Sequence, residues 1–389
     1  MPNRAEDQLD AVIVGAGVIG LACAWRAAQA GLRVRVLERG VPGAGASPGA
    51  AGMLAPVGEV SWGEERLLRL TQASHARWPS FAAELAAASG TEIGYLAIGS
   101  LHVALDRDES DELRRRFELM LDLKLDAEWL RPREARELEP GLTPRCAGAV
   151  LAPHESAADP GMLVGALRRA AEADGAEVVS GAEAVESLLD GEAIRGVRTA
   201  DGHEHRARHV VLAAGAWSGE ARWLPEFARP PVRPVKGQIL TLRAEDGRTP
   251  CERVVESERV YLVPRAGGGL IVGATVEEKG FETTVTAGGV LELLREAYRA
   301  IPEVAELELA ETGAGLRPGT PDNVPLIGPG ALDGLVVATG HYRNGILLAP
   351  LTAEAVVGVL EGAGLPAGLE AADPARFGAI EREADVGAR

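Results

Sequence analysis

The sequence has little of what several common kinds of site are built from. It holds three cysteines, Cys23, Cys146 and Cys251, far apart and without Cys-x-x-Cys spacing. So sparse a set argues against a disulfide framework and against structural zinc, and it suits a reducing cytoplasm. Lysine is also scarce, with only Lys124, Lys236 and Lys279, and 40 basic residues against 57 acidic ones leave a net charge of −17. A surface this acidic repels phosphate backbones and anionic lipid heads, which excludes nucleic acid and membrane surfaces as natural partners. An anionic substrate would therefore need positive charge supplied inside its own site. No run of 18 or more uncharged apolar residues occurs, so no membrane-spanning helix is expected, and the polar residues 1–10 predict no secretory leader. There is no metal-ligand spacing, no Gly-x-Ser-x-Gly elbow and no phosphate-transfer loop, so no metal site is expected.

What is present is apolar and rich in glycine. Hydrophobic residues make up 46% of 389, and 48 are glycine. This is enough to bury a sizeable core in two or three domains. Ala11 to Val14 is a short apolar run of the kind found in buried parallel strands. Gly15-Ala16-Gly17-Val18-Ile19-Gly20 follows at once. Leu21 to Ala30 reads as a helix closed by Gly31, and Leu32 to Leu37 as a second strand ending at Glu38. A Gly-x-Gly-x-x-Gly motif with a strand before it, a helix after it and an acid 18 residues beyond its last glycine is a dinucleotide-binding βαβ unit. Gly15 permits the tight turn, Gly17 leaves room for a pyrophosphate and Gly20 lets helix and strand pack closely. The helix N-terminus offers free N–H groups to the phosphates, and Glu38 can accept ribose hydroxyls. A single motif at the start of the chain favours FAD over NAD, and the acid disfavours NADP.

Further along, residues 41–58 read as loop, 62–88 as one long helix, 94–105 as a strand or hairpin and 107–123 as helix. A helix is expected over 159–174 with Pro160 in its first turn. Short strands fill 177–211, with turns at Asp190-Gly191 and Asp201-Gly202. Residues 231–273 are mostly β, 285–301 helical, 313–340 strands and turns, and 344–360 the last long helix. A βα-like segment at 210–219 lies mid-chain. This order implies an α/β (α+β) fold: a Rossmann-like FAD-binding domain assembled from 1–85, 155–230 and 311–389, with an inserted mixed-sheet substrate domain from 86–154 and 231–310.

Six segments carry a resemblance. They are Ala50-Ala51-Gly52-Met53-Leu54, the stretch Val211 to Gly219, Pro234-Val235-Lys236-Gly237-Gln238, Tyr261-Leu262-Val263-Pro264-Arg265, Gly315 to Thr320, and Gly340-His341-Tyr342-Arg343-Asn344-Gly345-Ile346-Leu347-Leu348-Ala349-Pro350. Together they resemble the D-amino-acid oxidase and sarcosine oxidase flavoproteins, and within them the glycine oxidases of thiamine biosynthesis. The resemblance implies FAD as cofactor, a small amino-acid substrate, oxygen as acceptor, products glyoxylate, ammonia and hydrogen peroxide, and a homotetramer. It implies that Val18 and Ile19 flank the pyrophosphate and that Glu38 and Arg39 hold the adenosine. Ala46, Ser47, Ala51, Gly52 and Met53 would line the path to the flavin ring, Ala184 would touch the adenine side, and His341 to Leu347 would wrap the ring. Arg317 would clamp the substrate carboxylate with Tyr261, and Arg343 would face the substrate.

Each of these residues also has a plainer reading. Arg317 alone could serve a structural ion pair, Tyr261 could be a core aromatic, Arg343 could pair with an acid and His341 could offer only its backbone. Lys236 reads as a loop tether. Covalent sarcosine oxidases carry a cysteine where this chain has Gly315, so non-covalent FAD is expected. Arg259 and Val276 depart from the family's pattern and leave the substrate range open. The rival activities are a D-amino-acid oxidase or dehydrogenase, a sarcosine oxidase and a flavin-binding scaffold.

Overall fold

The computed structural model describes residues 9–378; residues 1–8 and 379–389 lie outside the described residues. Two eight-stranded sheets organise the chain. In the first, the apolar runs become a parallel core. Leu335–Thr339, Glu204–Leu212, Leu9–Val14, Val34–Glu38 and Glu177–Ser180 lie side by side in that order, all parallel. Leu326–Pro329 closes one edge in antiparallel fashion. The meander Ala184–Asp190, Ala193–Thr199 and Glu204–Leu212 extends off the sheet through turns at the two Asp-Gly pairs.

Helices cover one face of this sheet. Val18–Gln29, Pro160–Ala173 and Gly345–Leu360 bury Leu21, Leu163, Leu167 and Val356 against Ile13, Val36, Val211 and Val336. Asp159 caps the middle helix, its Oδ1 accepting from the N–H groups of Gly161 and Met162, with Pro160 in the first turn where no N–H is required. The last helix contains Pro350, which removes an internal hydrogen bond. Next to it, Ser74 and Trp78 serve the neighbouring turn: the Ser74 hydroxyl (2.6 Å) and Trp78 Nε1 (2.9 Å) donate to the Leu347 carbonyl, and Ser74 Oγ accepts from the Leu351 N–H (3.4 Å).

The second sheet runs Glu308–Gly319, Arg233–Arg243, Gly269–Gly273, Tyr261–Pro264, Val254–Glu256, Ser100–Ala104, Gly148–Ala152, Glu128–Leu130. It is antiparallel except where Val254–Glu256 runs parallel to Ser100–Ala104. Helix Ala287–Ala300 sets Leu293, Ala297 and Ala300 on Leu240, Leu242 and Val272.

Three expectations need correction. The helix over 62–88 is two, Glu65–His75 and Trp78–Ser89, because the Pro79 ring would strike the carbonyl four residues back in a continuous helix. The segment 210–219 leads from its strand into a short 3-10 helix, Gly215–Glu220, and not an α-helix. Residues 124–158 add the strands Glu128–Leu130 and Gly148–Ala152 and the helix Pro132–Leu138, none of which the hydrophobic pattern announced.

Candidate active site

The parallel strands of the first sheet all end at one cavity of about 970 Å³, lined by Val14, Glu38, Ala182, Ala213 and Thr339 from just within or beyond their carboxyl ends. Open α/β sheets hold their ligands in this position. The cavity continues to the second sheet, where Tyr261 and Arg317 line its far end.

At the near end, the turn after Leu9–Val14 has the form the motif requires. Gly15 has φ +109°, and a Cβ there would come closer than 3.0 Å to the Ala213 carbonyl. A Cβ on Gly20 would strike the Gly15 carbonyl oxygen, so this glycine packs helix on strand and does not line the cavity. Gly17 differs: a Cβ there would meet only Ser47 Oγ, at 3.8 Å, and would otherwise enter open cavity. Its side chain is excluded by what the cavity must hold. Ser47 Oγ accepts from the Val18 N–H (3.2 Å), and the helix Val18–Gln29 has no acid in its first turn and no side-chain cap from Gly17. An uncapped, uncountered N-terminus attracts an anion. Glu38 is held by two backbone donors, Ala16 N–H to Oε2 and Gly40 N–H to Oε1, both 2.9 Å. Arg39 lies over the Trp217 ring at 4.2 Å, and Trp217 stacks on Phe281. Ala184 lines the same end.

The middle of the cavity is lined by Ala46, Ser47, Ala51, Gly52 and Met53. Gly52 has φ +70°, and a Cβ would enter the Ala158 carbonyl, so this turn admits only glycine. Met53–Leu54 pairs with Ser156–Ala157. Of the closing motif, His341, Tyr342, Arg343, Gly345 and Ile346 face the cavity, whereas Asn344 and Leu347 do not. Asn344 is the buried N-cap residue of the last helix, and Leu347 is a core residue whose carbonyl Ser74 and Trp78 occupy. His341 Nε2 meets Thr352 Oγ1 at 2.9 Å, and burial drives the imidazole down to about 3, so it stays neutral. It has no acid–base work to do.

The far end is a clamp on a glycine floor. Strand register places Arg317 beside Val235, two residues from the Gly237–Gly315 pair and so on the same face of the sheet. The Arg317 guanidinium lies across Gly237, where a Cβ would come closer than 3.0 Å to Nη1, Nη2 and Cζ. Nη1 donates to the carbonyls of Lys236 (3.3 Å) and Thr275 (3.1 Å). Among the described residues Arg317 makes no ion pair with a carboxylate within 4.0 Å. Tyr261 is folded over Gly273 in the same way, with a Cβ there 2.5 Å from its hydroxyl oxygen. Burial pushes the Tyr261 phenol up to about 12, against the pull of Arg317, so the hydroxyl is a donor throughout the working pH range. A forked cation without an acid partner beside a fixed hydroxyl is a receptor for a carboxylate.

Arg343 is placed differently. Its Nε is 3.1 Å from Glu59 Oε2 and its Nη2 3.7 Å from Glu64 Oε2, so its charge is already neutralised. Glu59 also lines the cavity, and burial raises its pKa against the opposing charge of Arg343. The sequence reading passed over Glu59, although it is the first charge after eighteen uncharged residues from Val41 to Gly58. Its turn is fixed by Glu155 Oε1, which accepts from the N–H groups of Val57 and Gly58, each at 2.7 Å. Lys236 is the expected tether. Buried beneath the loop 274–286, it donates from Nζ to the Thr284 carbonyl (2.7 Å) and lies 3.4 Å from Glu277.

The cradle fits FAD: open space opposite Gly17, a helix N-terminus with no acid in its first turn and an oriented acid at Glu38. No cysteine lines the cavity, so attachment through a thiolate is excluded among the described residues. The comparisons with known proteins agree. The family model "DAO: FAD dependent oxidoreductase" matches residues 10–358. The glycine oxidase of Geobacillus kaustophilus is 35% identical over 90% of this chain and 93% of that protein. A glycine oxidase crystal structure from the same species superposes with a TM-score of 0.88, at 34% identity, over 95% of this chain and 99% of that one. The bifunctional protein ThiO/ThiG of Trichormus variabilis is 37% identical over 88% of this chain, which spans about half (51%) of that protein's length. The chain belongs to the DAO family of FAD-dependent oxidoreductases.

Proposed function

We propose that this chain oxidises glycine and related small amines. Glycine, oxygen and water would give glyoxylate, ammonia and hydrogen peroxide. The observation that carries the reading is the Arg317–Tyr261 clamp: a guanidinium without an acid partner and a neutral hydroxyl at the end of an FAD-shaped cavity. Identity to glycine oxidase over nearly its full length supports the same substrate class.

In this reading Arg317 takes the substrate carboxylate in its fork and Tyr261 donates to it, which fixes the Cα–H direction. FAD, when bound, supplies the two-electron acceptor. The chain's contribution is orientation and electrostatics. The amine must be neutral to give up hydride, so reactivity rises with pH. The imine product is then hydrolysed. Gly15, Gly17, Val18 and Ile19 would hold the pyrophosphate, Glu38, Arg39 and Ala184 the adenosine, and Ala46, Ser47, Ala51, Gly52 and Met53 with His341, Tyr342, Arg343, Gly345 and Ile346 the flavin ring. We propose the FAD-binding segments as 1–85, 155–230 and 311–389, since every strand of the first sheet falls within them; the strand Glu308–Gly319, which carries Arg317, belongs to the second sheet and crosses the boundary at 310. Likeness to one half of the bifunctional protein ThiO/ThiG supports a place in thiamine biosynthesis.

The test is product analysis. Purified enzyme with glycine and oxygen should yield glyoxylate, ammonia and peroxide in equal amounts. Turnover of D-proline with none of glycine would replace this reading with a D-amino-acid oxidase.

A further inference from the structure

Five arginines line the cavity: Arg39, Arg222, Arg259, Arg317 and Arg343. Three are occupied. Arg39 stacks on Trp217, Arg222 lies 3.4 Å from Glu220, and Arg343 is held by Glu59 and Glu64. Arg317 has backbone carbonyls and the Tyr261 hydroxyl as partners, and no acid. Arg259 has no hydrogen bond, ion pair or ring partner among the described residues, although it lies exposed on the cavity wall.

Its position relates it to the clamp. Arg259 sits in the turn closed by the Ser257 N–H and the Val260 carbonyl (2.8 Å), two residues before Tyr261. Two residues of chain span at most about 7 Å, so the two backbones are neighbours on the wall. Every residue from Glu256 to Tyr261 contributes to the cavity wall, the buried Val260 included. Two acids share this stretch. Glu256 is turned to His102 (3.7 Å) and Arg116 (3.8 Å), and Glu258 lies beyond 4.0 Å of Arg259. The cavity thus holds two arginines without acid partners, one at the clamp and one beside it.

We infer that Arg259 is a specificity residue that receives a second carboxylate, so the site takes small amino acids bearing two acid groups as well as glycine. This rests on the amine-oxidising reading above. Arg317 and Tyr261 would hold the acid next to the reacting carbon, and Arg259 the distal one. The distal acid could sit on the nitrogen substituent or on the α-carbon. Because Arg259 is solvent-exposed, its pair is worth about fivefold in affinity and no more.

The experiment uses the FAD-loaded full chain and two matched pairs: N-(carboxymethyl)glycine against sarcosine, and D-aspartate against D-alanine. The wild type should favour the diacid by about fivefold in kcat/KM in at least one pair, and the pair that responds locates the second acid. Arg259→Ala should abolish that preference through KM, with kcat/KM for glycine unchanged. A binding readout stands apart from turnover: Arg259→Ala should weaken malonate about fivefold and leave acetate unchanged. No diacid preference in the wild type, a preference that survives the substitution, or equal loss of malonate and acetate would each overturn the inference. A flavin that no amine reduces would overturn the amine-oxidising reading, whereas the malonate and acetate titrations judge Arg259 independently of it.

Discussion

Gly237→Ala should disable the clamp without weakening the protein. The added Cβ would lie closer than 3.0 Å to three atoms of the Arg317 guanidinium. Non-bonded heavy atoms rest at about 3.5–4.0 Å, so the guanidinium must retreat by about 1 Å. The backbone need not move, because the struck group is the far end of a flexible side chain. A displacement of about 1 Å in a positioning group costs on the order of 10²-fold in rate, or roughly 2.7 kcal/mol. Stability should stay level or rise slightly, since a glycine inside a strand is roughly 0.5–1 kcal/mol worse than alanine. Steady-state kinetics on glycine and urea unfolding on the same preparation measure both quantities. The expected result is kcat/KM down about a hundredfold with an unchanged or higher unfolding midpoint. Wild-type kinetics would refute the placement of Arg317. Lost activity together with lost stability would refute the claim that the floor acts only through the guanidinium.

Three further outcomes follow from the same geometry. Gly15→Ala forces a side chain onto a φ of +109° and into the Ala213 carbonyl, so the purified protein should lack bound flavin, read as the ratio of visible to ultraviolet absorbance. Arg343→Ala should cost much less in glycine kcat/KM than Arg317→Ala, because Glu59 and Glu64 already neutralise Arg343; equal losses would make Arg343 a second clamp. His341 carries a pH signature. Its folded pKa, near 3, is below the unfolded value of about 6.5, so the unfolded chain binds the extra proton. Its contribution is full above about pH 6.5 and is lost as pH falls toward 3, amounting to about 2 kcal/mol between pH 7 and 5. Urea unfolding at both pH values should show that loss in the wild type and a smaller one in His341→Gln.

The dinucleotide half of the site was legible because its information is local. Gly15 to Gly20 and Glu38 sit in one βαβ unit, and each glycine answers to a neighbour within the unit or directly beside it. The far half is written across strands. That Gly237 makes the floor for Arg317, and Gly273 the floor for Tyr261, depends on which strands pair and in what register, which no window of sequence contains. The same limit explains Arg343, whose partners Glu59 and Glu64 lie some 280 positions earlier. The break between the helices at Ala76–Arg77 was readable from Pro79 and was passed over because the hydrophobic pattern continues through it. Leu347 shows the opposite error: a residue inside a flavin-contact run that belongs to the core, because helix geometry turns it away from the cavity.

The central claim is that one cavity holds FAD and, through Arg317 and Tyr261, a small amino acid. It is tested most directly by the visible spectrum of the purified protein under exclusion of oxygen, before and after addition of glycine. A flavin spectrum that bleaches with glycine, and does so far more slowly in Arg317→Ala, is the predicted result. A flavin spectrum indifferent to glycine, or one that bleaches equally fast without Arg317, would contradict it.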